Sequence, residues 1–337
     1  PPVGRRGDEE EDGPLTVPLL DVKGLTTRFR TNNGWVTAAD DVSFHVDKGE
    51  TLAIVGESGS GKSVTALSLL RLIPTPPGRI ESGEVIFDGR DLLQLPEDGI
   101  RSVRGNEIAM IFQEPMSSLN PSLTVGKQIA EPLVRHRGIA WTKAFDVAKD
   151  LLARVRIPDA SRQVGAWPHQ LSGGMRQRAM IAMALACGPR LIVADEPTTA
   201  LDVTVQGQIL DLLKQQSVES GSALILITHD LGVVARYAER VVVMYGGRIV
   251  ESAPARRLYK SPAHPYTSGL MASVPRLDSD TDQPLLPIEG QPPNLAHLPL
   301  GCAFAPRCRS VTSRCSEERP LLRAIGENHS VACHLHD

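Results

Sequence analysis

From about Leu19 to Ala253, short apolar runs alternate with stretches whose apolar residues recur at helical spacing. The runs predict strands over Val42–Val46, Leu52–Val55, Glu84–Asp88, Ile108–Phe112, Leu191–Ala194, Ala223–Thr228 and Arg240–Met244. Helices are predicted to begin near Gly61, Ser172, Val203 and Asp230. Strands interleaved with helices imply the α/β class. Between Gln113 and Ser172 the pattern is mostly helical, with a break at Ile157–Pro158. A helical subdomain, about 114–175, is therefore expected as an insertion in the sheet domain.

The two ends have another texture. Residues 1–18 are rich in Pro, Gly and acid, so a disordered acidic tail is expected. Beyond Ala253, nine prolines fall in the 45 residues from Pro262 to Pro306. Average usage of about 5% would place two or so there. The expected organisation is the tail, a core domain over 19–255 and a Pro/Cys-rich C-terminal extension over 256–337. The extension is expected to pack on the core rather than around a large core of its own.

Composition narrows the class. Of the 337 residues, 41% are apolar and 22% charged, as in an ordinary globular protein that buries a full core. The formal net charge is -3, without the basic surplus of a nucleic-acid binder, so no nucleic-acid partner is expected. No apolar run approaches the ~20 residues that span a bilayer. No secretory signal is visible. The chain is thus expected to be cytoplasmic, touching a membrane only through partners.

Gly56-Glu57-Ser58-Gly59-Ser60-Gly61-Lys62-Ser63 matches the phosphate-binding pattern G-x-x-x-x-G-K-[ST]. The apolar Thr51–Val55 leads into it and a helical run from Lys62, through Val64, leads out. Glycines let the backbone turn its N–H groups toward phosphate oxygens, and the helix adds its positive end. Lys62 would supply charge to the β- and γ-phosphates, and Ser63 a hydroxyl to Mg²⁺. Leu191-Ile192-Val193-Ala194 reads as a strand buried on both faces, ending in Asp195-Glu196. Asp195 is the candidate Mg²⁺ holder, and Glu196 the candidate base that orients the attacking water.

Leu171-Ser172-Gly173-Gly174-Met175-Arg176-Gln177-Arg178 resembles the signature sequence of ATP-binding-cassette (ABC) proteins. The resemblance implies an ABC nucleotide-binding domain that hydrolyses ATP with Mg²⁺. It also implies a head-to-tail dimer, in which Ser172, Gly173, Gly174 and Gln177 contact ATP held by the partner. By the same resemblance Gln113 senses Mg²⁺ and the water, Ala200-Leu201-Asp202 communicates across the dimer, and His229 contacts the γ-phosphate. Adenine would stack on an aromatic upstream of the loop, Phe29 or else Trp35.

Further stretches are similar to the oligopeptide/dipeptide/nickel importer branch: Phe112-Gln113-Glu114-Pro115-Met116, Ser118-Leu119-Asn120-Pro121 and His264-Pro265-Tyr266-Thr267. Thr198-Thr199-Ala200-Leu201-Asp202-Val203-Thr204 resembles its D-type subunit. That resemblance implies an F-type ATPase as heterodimer partner, two transmembrane permease subunits, an extracytoplasmic substrate-binding protein, and a place on the cytoplasmic face of the cell membrane. Dipeptide or oligopeptide uptake is the expected function, with nickel or another small solute as alternative cargo. A soluble cassette ATPase of DNA repair or translation would carry long coiled coils or a second cassette, and neither is visible. A regulator without hydrolysis would be expected to lack Glu196 or His229.

Four of the five cysteines lie in the last 36 residues, as Cys302, Cys308, Cys315 and Cys333. Their spacing, C-x₅-C-x₆-C-x₁₇-C, departs from the C-x₂-C pairs of common zinc modules. Four thiolates could hold Zn²⁺ or an iron–sulfur cluster. Resemblance to D-type subunits favours [4Fe–4S]. His329, His334 and His336 stand near enough in sequence to substitute as ligands. Cys187, alone in an apolar helical stretch, reads as a small core residue.

Overall fold

The computed structural model describes residues 17–114, 118–198, 202–273 and 288–337. Most of the acidic tail, Pro115 and Met116, Thr199 to Leu201, and part of the Pro-rich stretch lie outside the described residues. Twelve strands are described: β1 Leu20–Thr31, β2 Gly34–Val46, β3 Thr51–Val55, β4 Gly78–Phe87, β5 Arg90–Asp91, β6 Ile108–Ile111, β7 Leu191–Asp195, β8 Ala223–Thr228, β9 Arg240–Tyr245, β10 Arg248–Pro254, β11 Arg323–Gly326 and β12 His329–Val331.

They form two sheets, ordered β2-β1-β4-β5 and β11-β12-β10-β9-β3-β8-β7-β6. In the larger sheet β9, β3, β8, β7 and β6 run parallel. Every residue of β3, β7 and β8 is buried, which is why these strands read as unbroken apolar runs rather than alternating ones. One face of this sheet shares a core with the antiparallel sheet, through Leu25, Phe44 and Phe87. The other meets helices Val125–Arg137, Trp141–Arg154 and Gly173–Leu185, whose apolar stripes close around Ile111 and Ala194. The predicted break falls where helix Trp141–Arg154 ends and Arg156 takes a left-handed φ of 60°.

The sequence pattern predicts only Val42–Val46 of β2 and none of β1. β1 carries bulges between Val22 and Leu25 and beyond, so its in–out alternation is interrupted. β2 begins well before Val42, and Asp41 at φ 57° breaks its period. β10 was hidden by Glu251, a fully buried carboxylate in mid-strand.

Glu251 also explains how the extension attaches. Its carboxylate accepts the Ala263 and His264 backbone N–H groups at 2.8 and 2.9 Å and lies 2.9 Å from His329 Nε2. Around it β12 pairs with β10, so the end of the chain completes the edge of the main sheet. Tyr245, Tyr266 and Phe304 pack in one aromatic cluster beneath, with centroids 4.5 to 5.4 Å apart. The extension thus seats on the core, around β9 and β10.

Removing one partner of a buried charged network leaves the others unsatisfied and costs about 3–5 kcal/mol. Glu251→Ala is therefore expected to destabilise the chain by that amount in urea titration, with the C-terminal residues becoming the first to exchange amide hydrogen.

Candidate nucleotide site

Parallel β3, β8 and β7 bring their carboxyl ends side by side, the usual place for a ligand crevice in an α/β sheet. From β3 the chain enters the Gly56–Ser63 loop and then helix Lys62–Leu69. The loop is packed so closely that a Cβ on Gly56 would stand 2.3 Å from the Met244 carbonyl oxygen. One on Gly61, at φ 101°, would stand 2.3 Å from that of Ala38. Both positions require glycine.

Lys62 is 4% exposed and donates from Nζ to the carbonyls of Gly56 and Glu57 at 2.8 and 2.9 Å. Burial pushes its pKa below the ordinary lysine value, against the nearby Glu196, Asp195 and Glu57 carboxylates. Ser63 Oγ donates to Asp195 Oδ1 at 3.0 Å. Burial raises the Asp195 carboxyl above its usual range, opposed chiefly by the Ser63 hydrogen bond. A buried carboxylate beside a hydroxyl is a hard-oxygen set whose charge a divalent cation would stabilise, so the donors fit Mg²⁺.

Glu196 follows β7 at φ 44°, left-handed backbone that is uncommon outside glycine and concentrates at functional sites. Its N–H donates to the Ile227 carbonyl at 2.9 Å, tying it to β8. Gln113 Nε2 donates to Glu196 Oε2 at 3.1 Å, and His229 Nδ1 lies 3.4 Å from the same oxygen. The structure therefore brings Gln113, Glu196 and His229 together, and all three line one open pocket with Gly56, Glu57, Ser58, Gly59, Ser60, Gly61, Lys62, Ser63 and Val64. Its volume of about 870 Å³ is within the range of nucleotide-sized ligand pockets.

The signature residues stand elsewhere. Ser172 caps helix Gly173–Leu185 by accepting the Met175 N–H at 3.3 Å. Ser172 and Gly173 are exposed and do not line this pocket. Asp202, also exposed, caps helix Val203–Ser220 through the Val205 N–H at 3.0 Å.

Two expectations need correction. Gln177 is buried inside its helix at 1% exposure, so its side chain does not face outward toward a partner's nucleotide. Phe29 sits on β1 between Val36 and Gly78, its ring held by the close approach of Gly78, and does not line the pocket. Trp35 does not either. The apolar wall comes instead from Leu270, Ile288, Pro292 and Leu295 of the extension, which the sequence did not single out. As placed, no three His, Cys, Asp or Glu side chains among the described residues stand together as a ready metal-ligand group, so a metal there would need side chains to turn. The four cysteines share one small cavity, but Cys315 Sγ is engaged by Thr312 Oγ1 at 3.3 Å. His329 is committed to Glu251, and His336 to the Ala263 carbonyl. His334 lines the cysteine cavity, but its ring nitrogens are engaged by the Asp337 carboxylate at 2.8 Å and the Glu318 carbonyl at 2.9 Å.

A phosphate loop between a buried parallel strand and a helix, with Asp195 and Glu196 beside it, defines a P-loop nucleotide-binding protein. Residues 39–199 match the ABC transporter family, and residues 250–315 match the oligopeptide/dipeptide transporter C-terminal region. A putative peptide import ATP-binding protein of Brucella ovis is 52% identical over 326 residues, covering 94% of this chain and 96% of that protein. The oligopeptide transport ATP-binding protein OppD of Bacillus subtilis is 51% identical, over 93% of this chain and 87% of its own. Among solved structures, the ATP-binding cassette MJ0796, dimeric in a post-hydrolysis state with ADP and Pi, gives a TM-score of 0.63 at 30% identity. That match covers 70% of this chain and 99% of MJ0796. The chain belongs to the ABC transporter family, in the branch that carries the oligopeptide/dipeptide transporter C-terminal region.

A positioned base contributes about 10²–10⁴-fold to rate. Glu196→Gln is expected to leave ATP binding intact and to lower turnover at least ~100-fold. Near-normal turnover of that variant in the assembled transporter would remove Glu196 from the role of base.

Proposed function

We propose that the chain is the ATP-hydrolysing subunit of an ABC importer for peptides, dipeptides or oligopeptides. The observation that carries this reading is the meeting of Gln113, His229 and Glu196 at one carboxylate oxygen, beside the Lys62 loop. ATP would lie with its phosphates in the Gly56–Ser63 loop. Mg²⁺, held by Ser63 and Asp195 with Gln113 near, would neutralise charge on the β- and γ-phosphates. Glu196 orients water and takes its proton as the water oxygen bonds to the γ-phosphorus and the ADP oxygen leaves. Gln113 and His229 hold that carboxylate and the γ-phosphate side of the pocket.

The helix end at Ser172-Gly173-Gly174, exposed at its first two residues, would serve as a second anion site for a nucleotide held by another chain. Asp202, exposed at a neighbouring helix end, would serve the same interface. The dimer partner in this reading is an F-type ATPase. Two transmembrane permeases dock on the helical subdomain, and a substrate-binding protein delivers cargo from the far side. No helix among the described residues is long and apolar enough to cross a membrane, which suits a peripheral subunit at the cytoplasmic face. The ATPase core over 19–255 and the extension over 256–337 are its working divisions.

The four-cysteine cavity is the proposed seat of a [4Fe–4S] cluster, with Zn²⁺ as the alternative. Cys302, Cys308, Cys315 and Cys333 line it together. Burial raises the Cys302 and Cys333 thiols, so thiolates there call for a balancing metal charge. Binding would require the Cys315 thiol to turn from Thr312.

Two measurements test these readings. In a membrane complex reconstituted with its permeases and binding protein, added peptide is expected to raise ATP turnover and nickel salts to leave it unchanged. Turnover indifferent to peptide would return the cargo to the alternatives. Protein purified without oxygen is expected to carry near four iron and four sulfide per chain. Zinc or no metal would reject the cluster and leave the ATPase reading intact.

A further inference from the structure

The second residue of the phosphate loop is a glutamate, and an uncompensated carboxylate there would repel the anion the loop exists to bind. The structure pairs it with the far end of the chain. Arg307 Nη1 donates to Glu57 Oε2 at 2.6 Å and Nη2 to Oε1 at 3.0 Å, a two-pronged contact closed across 250 residues. The guanidinium side chain is 5% exposed, against 24% for Glu57. Every nitrogen of the fork is used. Nε donates to the Glu289 carbonyl at 2.9 Å, Nη2 also to the Ile288 carbonyl at 3.3 Å, and Nη1 also to Tyr245 Oη at 3.4 Å. The glutamate is held from its backbone side as well, because its N–H donates to Tyr266 Oη at 2.8 Å. The pairing in turn holds the guanidinium charged, well above the ordinary arginine value.

We propose that Arg307 is a positioning residue of the nucleotide site: it neutralises and pins Glu57, so that the phosphate loop presents no free negative charge to the incoming phosphates. The inference rests on the nucleotide reading of the loop. Glu57 is among the residues lining the pocket with Lys62 and Glu196, and its charge is close enough to act on the Lys62 ammonium. Lys62 already feels Glu57, Asp195 and Glu196. A third free carboxylate would oppose binding over the few ångströms where Coulomb energies reach several kcal/mol at about ε 20. The C-terminal extension therefore contributes charge balance to the site as well as an apolar wall, and Arg307 immediately precedes Cys308 of the cysteine cavity.

The test is a charge cycle on the full chain, with Mg-ADP affinity measured by calorimetry and folding checked by thermal melting without nucleotide. Arg307→Gln is expected to weaken Mg-ADP binding about tenfold, which is about 1.4 kcal/mol. Glu57→Gln, which removes the opposing charge, is expected to bind about threefold tighter, and the double variant to return to within about threefold of the starting chain. The Arg307→Gln penalty is expected to shrink as salt is raised from about 0.05 to 0.5 M, because it is electrostatic. A purely structural loss would show no such dependence and no recovery in the double variant. Wild-type affinity in folded Arg307→Gln, or a double variant weaker than either single one, overturns the proposal. Should Arg307→Gln fail to fold, Glu57→Gln decides alone, and weaker binding than wild type sinks it. Failure of the unaltered chain to bind Mg-ADP would instead refute the nucleotide reading itself.

Discussion

The structure turns on the absence of side-chain atoms at two glycines. Gly56 lies against the backbone of Met244, and Gly61 against that of Ala38, with no room for a Cβ at either. That contact wedges the phosphate loop between β2 and the end of β9. It fixes where Lys62 and Ser63 emerge, at the mouth of a crevice formed by parallel strands. Once the loop is set, the register of β3 with β8, and of β8 with β7, places His229, Asp195 and Glu196 around it. The left-handed backbone at Glu196 is a local cost of about 1–3 kcal/mol, carried by the packing of strands that are buried throughout.

Two carboxylates join the distant parts, one fully buried and one partly exposed. Glu251, in the middle of β10, gathers the backbone at Ala263–His264 and the ring of His329. Glu57, on the loop, receives Arg307 and the Tyr266 hydroxyl. Each carboxylate comes from the ATPase domain and its partners from the extension. The extension is thus an integral wall of the nucleotide pocket and an edge of the main sheet, although its own apolar content is modest.

The sequence made the phosphate site legible because its parts are contiguous motifs on strands buried on both faces. Thr51–Val55 and Leu191–Asp195 could be read from apolar runs alone, and the loop and acids follow directly after them. What escaped depends on contacts across long separations or on irregular backbone. The bulges of β1 disrupt its alternation, and Glu251 makes β10 look exposed when it is a hub. Gln177 falls within a signature motif, but its place on the helix turns it inward. Phe29 is the right residue type for a base platform, yet its place on β1, paired with Val36 and Gly78, leaves it outside the pocket lining. Nothing local in the sequence marks Arg307 as the partner of Glu57. Such a pair follows only from the aromatic cluster that seats the extension.

In the proposed function this loop, with Lys62 buried in its curve, holds the phosphates of a nucleotide. Calorimetric titration of Mg-ATP into the full chain and into Lys62→Ala is the most direct test. The account predicts one nucleotide per chain, and affinity at least about tenfold weaker when the ammonium is removed, the scale of a lost charged hydrogen bond. Equal affinity in the two proteins, or no binding to either, would contradict it.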